Sequence, residues 1–347
     1  MTIQRIVPKL VSYAFGERML PALVLIAGLL LTGAMDRSHP EARPADMNPA
    51  LDDVLAALDE VSQTPHELAC QTGDFAIPPG GHFQGIQQAM IGGKHFAVIS
   101  GSSDSASYLV LVALENSTGR LVALKRLLVS PFKHAGGFQV FGDYLAVGIE
   151  DNDAKNSSKI WILELSQLAE PDRPKPIVEI KRRGEYKRAT AGAVGVAKAR
   201  GRHLLVVATW DSATIDIYES NGKALHDPAF AFKLRETWQA NKADRSSWFD
   251  RHCAAYQNIN LVVDKNDRVF MVGFGKMGAE NVMDIFEVKP EKSVPTPKRF
   301  EKLGRRILLC QKTSFQSGSG LAITDSKELT VLSCGHREFV IEWFAPD

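Results

Sequence analysis

Three short stretches set a histidine, a small residue and a glutamine at one spacing. HFQGIQ carries His82, Gly85 and Gln87, HAGGFQ carries His134, Gly137 and Gln139, and HCAAYQ carries His252, Ala255 and Gln257. Imidazole exchanges its proton near neutral pH, which makes it the usual general base and the commonest metal ligand. A carboxamide brings both donors and an acceptor. Such a set has three uses: it can satisfy buried backbone groups, bind a polar or sugar-like molecule, or supply a base or a histidine and carboxylate metal site. Histidines spread around a fold by symmetry stand far apart beside metal–nitrogen bonds of about 2 Å, which weighs against one ion shared by all three.

The elements that would position these residues repeat. HFAVISG (95–101) precedes SYLVLVAL (107–114), and YLAVGIE (144–150) precedes KIWILEL (159–165). HLLVVATW (203–210) precedes TIDIYES (214–220), RVFMVGFG (268–275) precedes VMDIFEV (282–288), and ELTVLSC (328–334) precedes FVIEWFA (339–345). Each pair reads as a hairpin of β-branched and aromatic runs joined by a polar loop. A glycine- or alanine-bearing apolar stretch comes before each pair, and a further strand candidate follows most of them, as in RLVALKRLL, PIVEIKR and RRILLCQ. The unit is therefore four antiparallel strands, repeating at roughly 50–60 residues, a length that suits a blade better than a helical repeat.

This organisation resembles the β-propeller superfamily, and five blades account for residues 66–347. The alternatives are six blades with one degenerate unit, or a pair of β-sandwiches. The chain ends after the third strand of unit five, so HELACQTGDFAI (66–77) is expected to supply that blade's outer strand and latch the ring. The resemblance implies that the first strand of each blade lines a central channel, where crowded strands need small residues. The motif histidines then stand at one rim, with Gln87, Gln139 and Gln257 deeper. Loops on the same face bring Asp104, Glu150, Asp151, Asp153, Asp211, Glu280, His336, Arg337 and Glu338, with Trp210 as an aromatic wall. Five-bladed glycosidases place acidic residues on the channel strands; those strands here carry Gln, Asn and Ser. The stretch RETWQANKADRSSWFD (235–250) reads as a short helical or irregular excursion.

The remaining features bound the function. A formal net charge of +1 argues against a nucleic-acid partner. The basic run KRRGEYKR (181–188) reads as a solvated strand end and loop. Arg5, Lys9 and Arg18 lead into MLPALVLIAGLLLTGAM (19–35), the pattern of an export signal or of an uncleaved anchor within residues 1–35. Residues 36–65 read as a polar linker and a short helix. Export permits two disulfides among Cys70, Cys253, Cys310 and Cys334, and a bond from Cys70 into the last blade would close the ring covalently. No nucleophile elbow, HExxH or P-loop is present, EDNDAKNSS is an incomplete calcium loop, and no cofactor is named by any motif. The expectation is an exported all-β propeller with a polar pocket at the histidine face. It would bind a small polar ligand or a protein partner there, or run a hydrolase-type, possibly metal-assisted reaction. Membrane contact would come only through the N-terminal segment.

Overall fold

Alternating apolar residues and tight turns make every unit of this chain an antiparallel meander in the structure, a computed structural model that describes residues 45–346 except 116 and 117. The expected signal or anchor and the first part of the linker lie outside the described residues. A helix, α1 (Val54–Glu60), and a strand, β1 (His66–Gln71), come first. Blade 1 is β2 (His82–Ile91), β3 (Lys94–Ser102), β4 (Ala106–Glu115) and β5 (Thr118–Val129). Blade 2 is β6 (His134–Phe141), β7 (Tyr144–Glu150), β8 (Ser157–Glu164) and β9 (Val178–Arg183). Blade 3 is β10 (Ala193–Ala199), β11 (Arg202–Ala208), β12 (Thr214–Ser220) and β13 (Phe232–Gln239). Blade 4 is β14 (Ala255–Val263), β15 (Val269–Met277), β16 (Glu280–Val288) and β17 (Phe300–Leu308). Blade 5 is β18 (Gly318–Ile323), β19 (Leu329–Cys334) and β20 (Ile341–Phe344).

Five apolar layers hold these sheets, and each lies between two consecutive blades. Phe138, Leu109 and Trp161 pack blade 1 on blade 2, and Leu205, Val194 and Ile160 pack blade 2 on blade 3. Trp238, Tyr256 and Phe286 join blades 3 and 4, and Phe274, Phe315 and Phe344 join blades 4 and 5. The fifth layer, with Ile86, Val110, Leu332 and Ile341, joins blade 5 back to blade 1. An open row of five sheets would have four such layers. The fifth therefore makes the fold a closed five-bladed β-propeller.

The latch forms as the sequence suggests, with one addition. His66, Glu67 and Leu68 pair antiparallel with Trp343, Glu342 and Ile341 of β20. Ala69, Cys70 and Gln71 then cross to blade 1 and pair parallel with Thr118, Gly119 and Arg120 of β5. One strand thus satisfies the open edges of two blades. The segment before it also packs on the ring. Leu51 forms a bridge with Asp264, Val61 one with Pro346, and α1 buries Val54 and Leu58 after the Asp53 cap.

Two expectations change. Residues 235–239 belong to β13 rather than to an excursion; only Trp238 of that strand is buried, so its apolar alternation is weak. After it the chain is irregular apart from one turn of 3-10 helix, and Trp248 returns to the core. The four cysteines are free thiols in this structure, and the Cys70 crosslink is not formed. Burial pushes the Cys70 and Cys310 thiols up to about 11, the direction of inert packing groups rather than nucleophiles. Among the described residues no helix is long and apolar enough to cross a membrane.

Candidate functional site

The shared motif marks a β-bulge on the channel strand. Register shifts fall between Phe83 and Gly85 and between Ala135 and Phe138, just after the motif histidine in blades 1 and 2; in blade 4 the shift lies further along, between Tyr256 and Asn258. A bulge bends its strand and re-aims the side chains around it. In blades 1 and 2 it turns the preceding histidine toward the channel mouth. His134 stands directly across from Glu150: the hairpin turn at Gly142 pairs Phe141 with Tyr144, and the bulge between Ala135 and Phe138 then shifts the register by one residue, from Asp151 to Glu150. Gly142 has φ +54, and a Cβ there would lie 2.0 Å from the Ala45 carbonyl oxygen, so the turn and the N-terminal segment both require glycine.

The structure brings together His82, His134 and His336. The His82 ring centroid lies 5.8 Å from that of His134 and 4.9 Å from that of His336. The Ser102 hydroxyl is 2.9 Å from His82 Nε2, and Ser102 is the register partner of both His82 and His134. His134 Nδ1 is 3.2 Å from Glu150 Oε1, while Glu150 Oε2 accepts the Ala191 N–H at 2.7 Å. Both side chains of that pair are buried. Burial and repulsion from His134 and His336 lower the His82 pKa to about 4, although the Gly80 carbonyl pulls the other way. His82 is therefore neutral at pH 7, with one ring donor and one ring acceptor. His336 is exposed, and burial and Arg337 lower its pKa as well.

His252 does not join them. Its N–H donates to Asp250 Oδ1 at 2.7 Å, and its carbonyl accepts from Lys302 Nζ at 2.8 Å. That buried charge cluster draws the 250–254 loop aside and leaves the imidazole exposed. The motif spacing holds in blade 4, but His252 lies outside the strand.

The glutamines have another task. Gln87 Nε2 donates to Asn260 Oδ1 and its Oε1 accepts the Val140 N–H. Gln139 Nε2 donates to the Leu261 carbonyl, and its Oε1 accepts the Val196 and Leu261 N–H groups. Asn258 donates to the Gln84 carbonyl and accepts from Phe138 N–H, and Asn260 accepts from Leu321 N–H. These four amides are at most 1% exposed and tie all five channel strands together. A Cβ on Gly137 would lie 2.4 Å from Asn258 Oδ1, and one on Gly85 3.0 Å from it. The motif's small residue and Gln87 or Gln139 thus fill and crosslink the axis, where buried polar groups must be paired. Gln257 is half-buried, with its carbonyl against Gly137.

The loop carboxylates scatter. Asp104 packs on Gly80, and Asp151 Oδ1 caps its own turn by accepting from Asp153 and Ala154. Asp153 pairs with Lys133 at 2.9 Å, and Asp211 accepts from Thr209 and Ala213. Glu280, Arg337 and Glu338 are exposed. Ser102 had no signal in composition or spacing; it follows only once the β2–β3 register pairs it with His82. Lys187 was read only as part of the solvated basic run and Lys155 as part of a polar loop; nothing in the spacing shows that both meet Trp210.

Two cavities, of about 210 and 240 Å³, open at the opposite end of the ring from the histidines. The first is lined by Asn48, Gln88, His95, Asp143 and Thr324, under the N-terminal segment. Among the described residues no group of three metal-ligating side chains converges with the geometry of a metal site.

No known protein family and no curated protein matches the chain. Several solved structures resemble its course. An α-L-arabinofuranosidase from Podospora anserina is 10% identical with TM-score 0.46, over 83% of this chain and 99% of that one. An exo-β-1,3-galactanase from Phanerochaete chrysosporium is 8% identical with TM-score 0.44, over 79% and 62%. A hypothetical protein from Leishmania major is 10% identical with TM-score 0.45, over 85% and 94%. The chain is similar to these in path, at a distance.

Proposed function

We propose that this protein is an exported propeller that binds a small, polar, sugar-like ligand at the histidine mouth. The observation that carries the reading is the packing of His82 between His134 and His336, with a pKa near 4. A neutral imidazole held by neighbours serves hydroxyl groups well, giving and taking one hydrogen bond each. It serves catalysis less well, because an efficient general base has a pKa near the working pH. The apolar leader with its basic start supports export, and the near-zero net charge weighs against a nucleic-acid partner.

Titration calorimetry of the whole chain against neutral mono- and disaccharides tests this. The expected result is saturable millimolar binding that His336→Ala weakens about tenfold, or about 1.4 kcal/mol. Failure of every sugar to bind, or unchanged binding by His336→Ala, removes the reading. The second reading, a hydrolase, draws on Glu150 Oε1 lying 3.2 Å from His134 Nδ1 without aligning as a hydrogen bond; a small turn of the ring would make that bond and orient the other nitrogen as a base. Turnover of the sugar during the titration, lost in Glu150→Gln, would select it.

A further inference from the structure

The basic run at 181–188 is not all solvated. Arg182 and Arg188 turn inward onto Asp216, with contacts of 2.5 and 2.7 Å. What remains beside them is Lys187, and it meets Lys155 from the neighbouring loop at one aromatic ring. Lys155 Nζ lies 4.7 Å and Lys187 Nζ 5.5 Å from the Trp210 ring centroid. Trp210 is among the exposed large apolar side chains.

Three features set this group apart from ordinary surface lysines. Both lysines have left-handed backbones, φ +52 and +61, a conformation that non-glycine residues adopt at a cost. They are tied together: the Lys187 N–H donates to the Lys155 carbonyl at 2.6 Å, Thr190 Oγ1 donates to the Lys187 carbonyl, and Trp210 N–H donates to Thr190 Oγ1. And the nearby carboxylates are engaged elsewhere. Asp151 caps its turn, Asp153 holds Lys133, Asp211 is turned onto Thr209 and Ala213, and Asp216 holds the two arginines. Among the described residues neither ammonium has a carboxylate at ion-pair distance. Two cations on one indole repel each other, because surface charges within about 10 Å are only partly screened at 0.1 M salt. An anion relieves that repulsion.

The group adjoins the mouth. Thr190, which holds Trp210, precedes Ala191, whose N–H binds Glu150 of the His134 pair. We propose that Lys155, Lys187 and Trp210 form an oxyanion site that takes the carboxylate or sulfate of an acidic sugar whose neutral part lies on the histidine mouth. The second half of this inference rests on the function proposed above; the oxyanion site itself stands on the lysines alone.

Tryptophan fluorescence of the whole chain is titrated with sulfate, glucuronate and glucose at constant ionic strength, with Trp210→Phe identifying the signal. Sulfate and glucuronate are expected to give saturable changes. The double variant Lys155→Asn, Lys187→Asn is expected to weaken both by about tenfold, since it removes two charged donors and asparagine accepts the left-handed backbone. Glucuronate is expected to bind more tightly than sulfate, and His336→Ala is expected to erase that difference. A wild-type chain that does not respond to sulfate or glucuronate, or a double variant that responds equally, overturns the oxyanion site. Sulfate binding that needs the lysines, with glucuronate no tighter and His336→Ala without effect, overturns the acidic sugar and keeps the anion site. Glucose binding that needs His336, with no response to either anion, keeps the mouth and overturns this inference.

Discussion

Leu68→Asp will cost the protein about 4 kcal/mol or more of stability, because burying a leucine contributes about 1.5–3 kcal/mol and an unpaired buried carboxylate adds a desolvation penalty. Leu68 is 5% exposed and packs in the layer that joins blade 5 to blade 1. Its Cδ2 fills the space over Gly119, where a Cβ would come within 2.8 Å. Leu68 is also the residue at which β1 passes from β20 to β5, so a polar side chain there disturbs both pairings. Urea unfolding should show the midpoint falling sharply, while Glu67→Gln on the exposed side of the strand stays within about 0.5 kcal/mol of the parent. A loss of under about 1 kcal/mol for Leu68→Asp would mean that the ring does not depend on its latch.

The second large effect lies in blade 4. Asp284 and Lys302 are both fully buried, with Lys302 Nζ 3.0 Å from Asp284 Oδ1. Arg305 Nε reaches the same oxygen at 2.6 Å, and the Tyr256 hydroxyl donates to Oδ2 at 2.6 Å. Asp250 is the remaining carboxylate, 2.7 Å from Arg305 and 3.4 Å from Lys302. Asp284→Ala leaves two cations against one partly exposed carboxylate and strands the phenol, so stability should fall by about 3–5 kcal/mol. Adding Lys302→Met should recover most of that loss, since well-packed apolar groups often replace a buried ion pair without penalty. Thermal unfolding of the two variants checks this. Equal melting temperatures for the single and double variants would show that the buried lysine is not what the aspartate neutralises.

This cluster also explains why the sequence motif only partly locates the site. The small residue and the glutamine recur because the axis of a tight ring needs space for Asn258 and donors for bare strand ends, so their spacing is a packing signal. The histidine before them is free to do something else, and in blade 4 Lys302 and Asp250 take its backbone and carry it away. His336 fills the vacant part of the mouth from a different loop, the one between β19 and β20. Glu150 was visible as a loop carboxylate; that it faces His134 follows from the turn at Gly142 together with the one-residue shift at the β6 bulge. Strand alternation made the blades legible wherever one face is apolar. It failed at β13, where five of the first six residues are polar or exposed and only Trp238 reaches the core. Cysteine count pointed to disulfides, but four buried or half-buried thiols can equally be small packing residues.

The axis itself is closed to ligands by its amides, and the N-terminal segment covers part of the opposite mouth. Function at the centre of this ring is thereby directed to the rim that holds the imidazoles. Residue-resolved NMR of the histidine side chains across a pH titration reports on that rim most directly. The account predicts that the His82 ring titrates with a midpoint of about 4, well below the 6.5 of a free imidazole, and that His336→Ala moves this midpoint upward by relieving burial and repulsion. A His82 midpoint near 6.5 that ignores the loss of His336 would contradict it, because the rings would not then share one mouth.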